Sequence, residues 1–190
     1  MARHDVSRPR PLISFYGDLV KVAGKTTRIG GGADSAGTEG RGGGRQGGAK
    51  AAAERDHETQ AVRDRALAAM DRAYAPYSKF YVGAALLGTD GSITEACNVE
   101  NAAFPAGTCA ERAALASAIA RGVRTFRLLA IATSAGEPTP PCGMCRQALI
   151  EFCPELEIVS VTRSGKETRW RLSELLPNAF SPRSLDRSTD

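Results

Sequence analysis

The chain has 190 residues, enough for one domain of ordinary size with an appended segment. Residues 1–50 hold 12 of the 20 glycines and 9 Lys+Arg against 4 Asp+Glu, a net of +5; the other 140 hold 16 against 17, a net of −1. The formal charge of +4 therefore belongs to the first quarter of the chain, and the near-neutral remainder argues against a nucleic-acid face on the folded part, which needs clustered cations. No run approaches the roughly 20 apolar residues of a membrane span, and Ser14, Gly17, Asp18 and Lys21 interrupt the one apolar stretch near the start, so no signal peptide is expected. Five cysteines without an export signal suit a reducing compartment, where thiols serve metals or chemistry, and a cytoplasmic protein is expected.

In chain order, the glycine run before residue 50 offers too little apolar surface to offset the entropy of ordering it. Residues 1–55 are read as a disordered, basic, Gly-rich extension and residues 56–190 as the folded domain. Val62, Ala66, Met70 and Ala73 recur at helical steps and predict a helix over 58–73, closed before Pro76 because proline disfavours helix in the residue preceding it. An apolar strand follows over 80–87, then Asp90-Gly91 as a hairpin turn and a returning strand over 93–98. A loop over 100–108 leads to a helix over 109–121, stopped at Gly122. A strand over 128–133, a Pro-rich loop over 136–141 and a helix over 142–153 come next, ended by Pro154. Strands over 158–162 and 168–172 flank the Ser164-Gly165 turn, and 173–177 closes as a short helix or turn. The order α-β-β-α-β-α-β-β-α, with strands feeding helices through loops, predicts a single sheet with helices on both sides.

Two segments carry chemistry: Thr108-Cys109-Ala110-Glu111-Arg112 and Pro141-Cys142-Gly143-Met144-Cys145. Both fall at loop-to-helix junctions after strands, where side chains of separate loops converge in an open α/β sheet. Cys142 and Cys145 at one helix start and Cys109 at another can present three sulfurs to one ion. The positive ends of the two helices favour the thiolates that zinc requires. Three protein ligands leave a tetrahedral ion one position for water, the mark of a catalytic site.

Plainer readings stand beside these. A Cys-x-x-Cys pair is often half of a structural zinc site or a redox pair, and a structural site would need a fourth ligand. His4 and His57 lie in or beside the extension, which leaves Cys97 and Cys153; neither is at a helix start, and both read as small core residues. Thr108-x-x-Glu111 fits a capping box, in which Glu111 merely bonds back to the cap. With Cys109 two residues before it, the same carboxylate can reach a metal-bound water. Arg112 is by default a solvated helix arginine, Asn98 and Glu100 are turn residues, Phe80 is strand core and Phe180 a packing residue.

Cys109-Ala110-Glu111-Arg112, followed 33 residues after its first Cys by Pro141-Cys142-x-x-Cys145, resembles the signature of the zinc nucleoside and nucleobase deaminases in its three-cysteine form. Tyr77-Ser78-Lys79-Phe80-Tyr81-Val82-Gly83-Ala84-Ala85, Cys97-Asn98-Val99-Glu100-Asn101 and Leu175-Leu176-Pro177-Asn178-Ala179-Phe180 are similar to the short-chain cytidine deaminases in particular. The resemblance spans about residues 56–186. It implies an α/β fold of the cytidine-deaminase type, a three-layer α/β/α sandwich with one mixed sheet and helices on both faces. It further implies a homotetramer with shared sites, acting on a small nucleoside with no membrane or nucleic-acid partner for the folded domain. The implied reaction is hydrolysis of cytidine and deoxycytidine to uridine and deoxyuridine, a pyrimidine-salvage step, by a Zn²⁺-activated water. Cys109, Cys142 and Cys145 would hold the metal, Glu111 would move the protons, and Arg112 would offset the thiolate charge. Asn98 and Glu100 would meet the ribose 3′-hydroxyl, Phe80 would wall the pyrimidine, and Phe180 would reach a neighbouring subunit's base. The Ala110 N–H is a candidate donor to the base carbonyl.

Two rivals remain at this stage. One is a zinc deaminase of another substrate, a blasticidin-like nucleoside or a base within nucleic acid. The other is a non-catalytic zinc-stabilised module with an RNA-binding extension. Tyr81, where the family often has proline or a small residue, and Phe104-Pro105-Ala106-Gly107 depart from the usual pattern and bear on pocket shape and subunit contacts.

Overall fold

The computed structural model describes residues 44–185. Its strands are β1 (Val82–Gly88), β2 (Ile93–Cys97), β3 (Phe126–Thr133), β4 (Glu157–Thr162) and β5 (Glu167–Arg171). Its helices are α1 (Gly44–Met70), α2 (Ala110–Ala120), α3 (Gly143–Ile150) and the single turn α4 (Leu172–Leu175). The strands form one mixed sheet in the order β2-β1-β3-β4-β5. β3 and β4 are parallel, joined through α3, and every other neighbouring pair is antiparallel.

The apolar strands are buried on both faces, as continuous hydrophobic runs in a covered sheet should be; β1 is buried along its whole length. Successive side chains point to opposite faces, so the sheet divides the core in two. Ala85, Leu87, Leu128, Ala130, Ala132, Val159 and Val161 meet Val62, Ala66 and Met70 of α1. Ala84, Leu86, Leu129, Ile131 and Ile158 meet Ala114, Leu115 and Ala118 of α2, Leu149 of α3 and Leu172 of α4. This is the expected three-layer sandwich.

The element order matches the sequence reading, and the boundaries differ for local reasons. Helix α1 begins at Gly44, so the domain boundary expected at residue 56 falls inside it; the alanines from Ala49 to Ala53 are strong helix formers and carry the helix back through that point. The rest of the extension, residues 1–43, lies outside the described residues. Helix α1 stops at Met70 rather than 73 because the chain is captured by the loop after β2. The Tyr74 N–H donates to the Asn98 carbonyl at 3.0 Å, and the Glu100 N–H donates to the Tyr74 carbonyl at 2.8 Å. Among the described residues no helix is long and apolar enough to cross a membrane.

One feature of the topology places the site. Because β1 runs antiparallel to both β2 and β3, the ends of those two strands lie at the same end of the sheet, with the start of β1 between them: Gly83 pairs with Cys97 and Val82 with Thr133. The loops leaving β2 and β3 therefore start α2 and α3 side by side.

Gly83 makes this arrangement possible. A Cβ there would lie 2.0 Å from the Ala66 carbonyl oxygen and 2.3 Å from the Met70 nitrogen. Both are helix backbone, which cannot swing aside. Gly83→Ala is expected to push α1 off the sheet and destabilise the domain by about 3 kcal/mol, the upper range for overpacking; a melting temperature equal to the parent's would show that α1 yields more readily than this contact implies.

Candidate active site

Cys109 and Cys142 are the N-cap residues of α2 and α3, and Cys145 is the third residue of α3. Neither cap makes a side-chain hydrogen bond to its helix, so both sulfurs are free to face each other. Cys109 Sγ lies 3.9 Å from Cys142 Sγ, which lies 3.5 Å from Cys145 Sγ, and all three sulfurs fall within 4.8 Å of one another. A zinc ion with bonds of about 2.3 Å to sulfur holds tetrahedral ligands about 3.8 Å apart. The spacing and the donor type fit zinc. The triad is graded in burial, with Cys145 buried, Cys109 intermediate and Cys142 exposed.

No fourth ligand joins the triad among the described residues. The Cys97 thiol donates to the Arg72 carbonyl at 3.4 Å, and the Cys153 thiol to the Leu149 carbonyl at 3.4 Å. Burial pushes the Cys153 thiol up to about 12, as befits an inert core residue. His57 lies on α1, apart from the cluster. The structural-zinc reading loses its ligand.

The capping-box alternative for Glu111 also fails. The cap is Cys109, not Thr108, and Glu111 sits at the second helical position with no reciprocal bond to a cap side chain. The residue is only 5 % exposed. Burial pushes its pKa up, and the charge of the neighbouring Cys109 thiolate pushes the same way. A carboxyl held closer to neutrality in this manner suits proton transfer at working pH.

The thiols themselves are unequal. A hydrogen bond from Cys145 holds the Cys109 thiol well below the usual range, helped by Arg112. The same bond pushes the Cys145 thiol far up, reinforced by burial and by the charges of Glu111 and Cys109. Arg112 is raised in turn by its contact with Cys109; it reaches the Gly107 carbonyl through Nη2 at 3.4 Å, and its Nε is buried without a hydrogen-bond partner among the described residues. Arg146, the other cation near the triad, is spent on the backbone, donating to the Pro141 carbonyl at 2.7 Å and the Leu175 carbonyl at 2.9 Å.

Asn98 and Glu100, expected at the sugar, leave the end of β2 beside the start of β1, and their side chains hold the segment that leads into β1. The Asn98 side-chain oxygen accepts from the Val82 N–H at 2.9 Å, and its amide donates to the Phe80 carbonyl at 2.8 Å, stapling the approach to β1. Glu100 accepts from the Tyr77 and Ser78 N–H groups at 2.9 and 3.2 Å and from the Ser78 hydroxyl. The Ser78 hydroxyl bond comes first among the contacts that hold the Glu100 carboxyl low. Ala110 is fully buried at the first position of α2, where a helix leaves its N–H unpaired. Phe180 is 59 % exposed, and the Gln147 amide donates to its carbonyl at 2.8 Å.

A family model, the cytidine and deoxycytidylate deaminase zinc-binding region, matches residues 56–161. The chain belongs to this deaminase family. Cytidine deaminase from Sporosarcina psychrophila is 44 % identical over 123 residues, 64 % of this chain and 90 % of that protein. The solved structure of cytidine deaminase from Burkholderia pseudomallei is 45 % identical, with a TM-score of 0.62, covering 64 % of this chain and 98 % of the other. That from Mycobacterium tuberculosis is 38 % identical, with a TM-score of 0.56, over 64 % of this chain and 95 % of the other. The family model leaves residues 1–55 unmatched.

The sequence reading of this deaminase missed part of its surroundings. A cavity of about 480 Å³ is lined by Tyr77, Ser78, Glu100, Asn101, Phe104 and Gly107; Glu100 is the residue expected at the sugar, and Phe104 and Gly107 belong to the loop whose departure from the family pattern bears on pocket shape, whereas Ser78 was given no role. Phe104, on the departing loop, is 77 % exposed and meets Tyr77 edge-on with ring centroids 6.2 Å apart. The available signal was Ser78, two residues before Phe80 and after a proline, a position from which a serine hydroxyl commonly accepts a backbone N–H.

Proposed function

We propose that this chain hydrolyses cytidine and deoxycytidine to uridine and deoxyuridine, with Cys109, Cys142 and Cys145 as zinc ligands and Glu111 as the proton carrier. The observation that carries this reading is a buried carboxyl, electrostatically coupled to Cys109, beside three sulfurs spaced for one ion. Zinc, when bound, supplies an acidified water as the nucleophile. Glu111 takes a proton from that water and delivers it to N3 of the pyrimidine, which draws electrons from C4 and opens it to attack. After C4 gains its hydroxyl, Glu111 carries the hydroxyl proton to the 4-amino nitrogen; the C–N bond breaks, ammonia leaves, and the C4 carbonyl forms. Arg112 lowers the negative charge that three thiolates bring to the site. The Ala110 N–H faces the base carbonyl, Phe80 walls the ring, and Asn98 and Glu100 take the ribose 3′-hydroxyl.

Exposed aromatic side chains at Tyr77, Phe104 and Phe180 support a homotetramer in which neighbouring copies cover them and Phe180 completes a partner's site. The setting is a cytoplasmic pyrimidine-salvage pathway served by residues 56–190, in keeping with the free thiols among the described residues. Zinc-loaded protein mixed with cytidine or deoxycytidine is expected to lower the ultraviolet absorbance of the base and to stop doing so after chelation. No change in absorbance with either nucleoside would sink the reading.

A further inference from the structure

We propose that Ser78 is a positioning residue that couples recognition of the sugar to the wall of the base. The inference rests on Glu100 meeting the ribose hydroxyl. Ser78 stands at the joint between two groups assigned to opposite ends of the nucleoside. Its hydroxyl donates to Glu100 Oε1, and its own N–H donates to Glu100 Oε2 at 3.2 Å. The same hydroxyl oxygen accepts from the Phe80 N–H at 3.0 Å. Between them Lys79 adopts a φ of +57°, a left-handed conformation that lysine rarely takes, with its N–H bonded to the Ala75 carbonyl at 3.1 Å. Such a conformation persists where surrounding contacts over-determine it. Here those contacts come from both expected sugar-binding residues: Glu100 grips the turn on one side of Lys79, and Asn98 holds the Phe80 carbonyl on the other.

The carboxylate and the aromatic wall are thus one hydrogen-bonded unit. Ser78 and Glu100 line the same cavity, so the hydroxyl fixes which way the carboxylate looks into it. Without the hydroxyl, Glu100 keeps two backbone donors on one oxygen but loses the partner that orients the other. Ser78 touches neither the triad nor the reacting atoms, so its loss should appear in KM far more than in kcat.

The test compares cytidine with 3′-deoxycytidine on zinc-loaded wild type and Ser78→Ala, with zinc content and melting temperature measured on both. Ser78→Ala is expected to raise KM for cytidine about tenfold, the scale of one hydrogen bond to a charged group, while kcat stays within a factor of about two and KM for 3′-deoxycytidine moves little. The wild type's preference for cytidine should shrink accordingly. If the wild type prefers cytidine and Ser78→Ala keeps that preference in full, the role of Ser78 is overturned alone. If the wild type turns over both nucleosides alike, the sugar-binding role of Glu100 falls and this inference with it. Should Ser78→Ala fail to fold, Ser78→Cys, nearly isosteric and only a weak donor, is read by the same criteria.

Discussion

Glu111→Gln is expected to lower kcat by about three orders of magnitude or more while leaving one zinc per chain. The size follows from the role: a positioned general acid–base group contributes about 10²- to 10⁴-fold, and here a single carboxyl serves two successive transfers. Glutamine keeps the shape and can still accept a hydrogen bond, but it cannot take up a proton. The substitution also separates chemistry from folding. The folded-state pKa of Glu111 is raised by burial, so the stability its protonated form provides is present below the unfolded pKa and lost as pH rises through the folded value. Once ionised, the carboxyl therefore costs the metal-free protein stability, and a neutral glutamine removes that cost. Metal-free Glu111→Gln should melt no lower than its metal-free parent. Activity within tenfold of the parent would mean that Glu111 is not the proton carrier; loss of zinc alongside activity would mean that it helps hold the metal instead.

The sequence made much of this legible because the informative residues act through local geometry. Cys109 and Cys142 follow loops and precede helical spacing, which places both at helix starts, and the structure makes each the N-cap of its helix. The apolar runs read as strands over 80–87 and 128–133 predict a covered sheet because no exposed strand could carry that many consecutive apolar side chains. Glu111 was ambiguous for an equally physical reason. A carboxylate three residues after a threonine caps a helix whenever the threonine is the cap, and only the tertiary choice of Cys109 as the cap decides the matter. What stayed hidden was long-range. That Glu100 would be seized by a serine 22 residues earlier depends on the register of the β1–β2 hairpin, which sets Gly83 opposite Cys97, and on the left-handed turn at Lys79, and no periodicity reports either. The early end of α1 has the same origin, since a hydrogen bond from Tyr74 to the loop after β2 outweighs helical propensity at Ala73.

Cys145→Ala is expected to abolish zinc retention and, with it, turnover, and the pH dependence of zinc binding in the parent should explain why. Cys145 is fully buried at the first turn of α3, facing the start of α2. In the metal-free protein its thiol is pushed far up by the hydrogen bond to Cys109, by burial and by the charge of Glu111, so at neutral pH it is protonated, while Cys109 is held as the thiolate. Zinc requires both as thiolates. Binding must therefore expel the Cys145 proton, and zinc affinity should rise with pH by about tenfold per unit for each proton displaced. The sign is fixed by the direction of the Cys145 shift: acid favours the protonated thiol and opposes the metal. Competition against a chromophoric chelator between about pH 6 and 8 reads this slope directly, and a flat profile would remove Cys145 from the ligand set. In Cys145→Ala the two remaining thiols cannot close the site, and the stabilisation that a tightly bound ion confers on the folded state is lost with it. Zinc-loaded parent should consequently melt well above the variant, whereas the two metal-free proteins should differ only by the smaller cost of one buried sulfur. That contrast identifies Cys145 as a residue whose main contribution to stability passes through the metal rather than through packing.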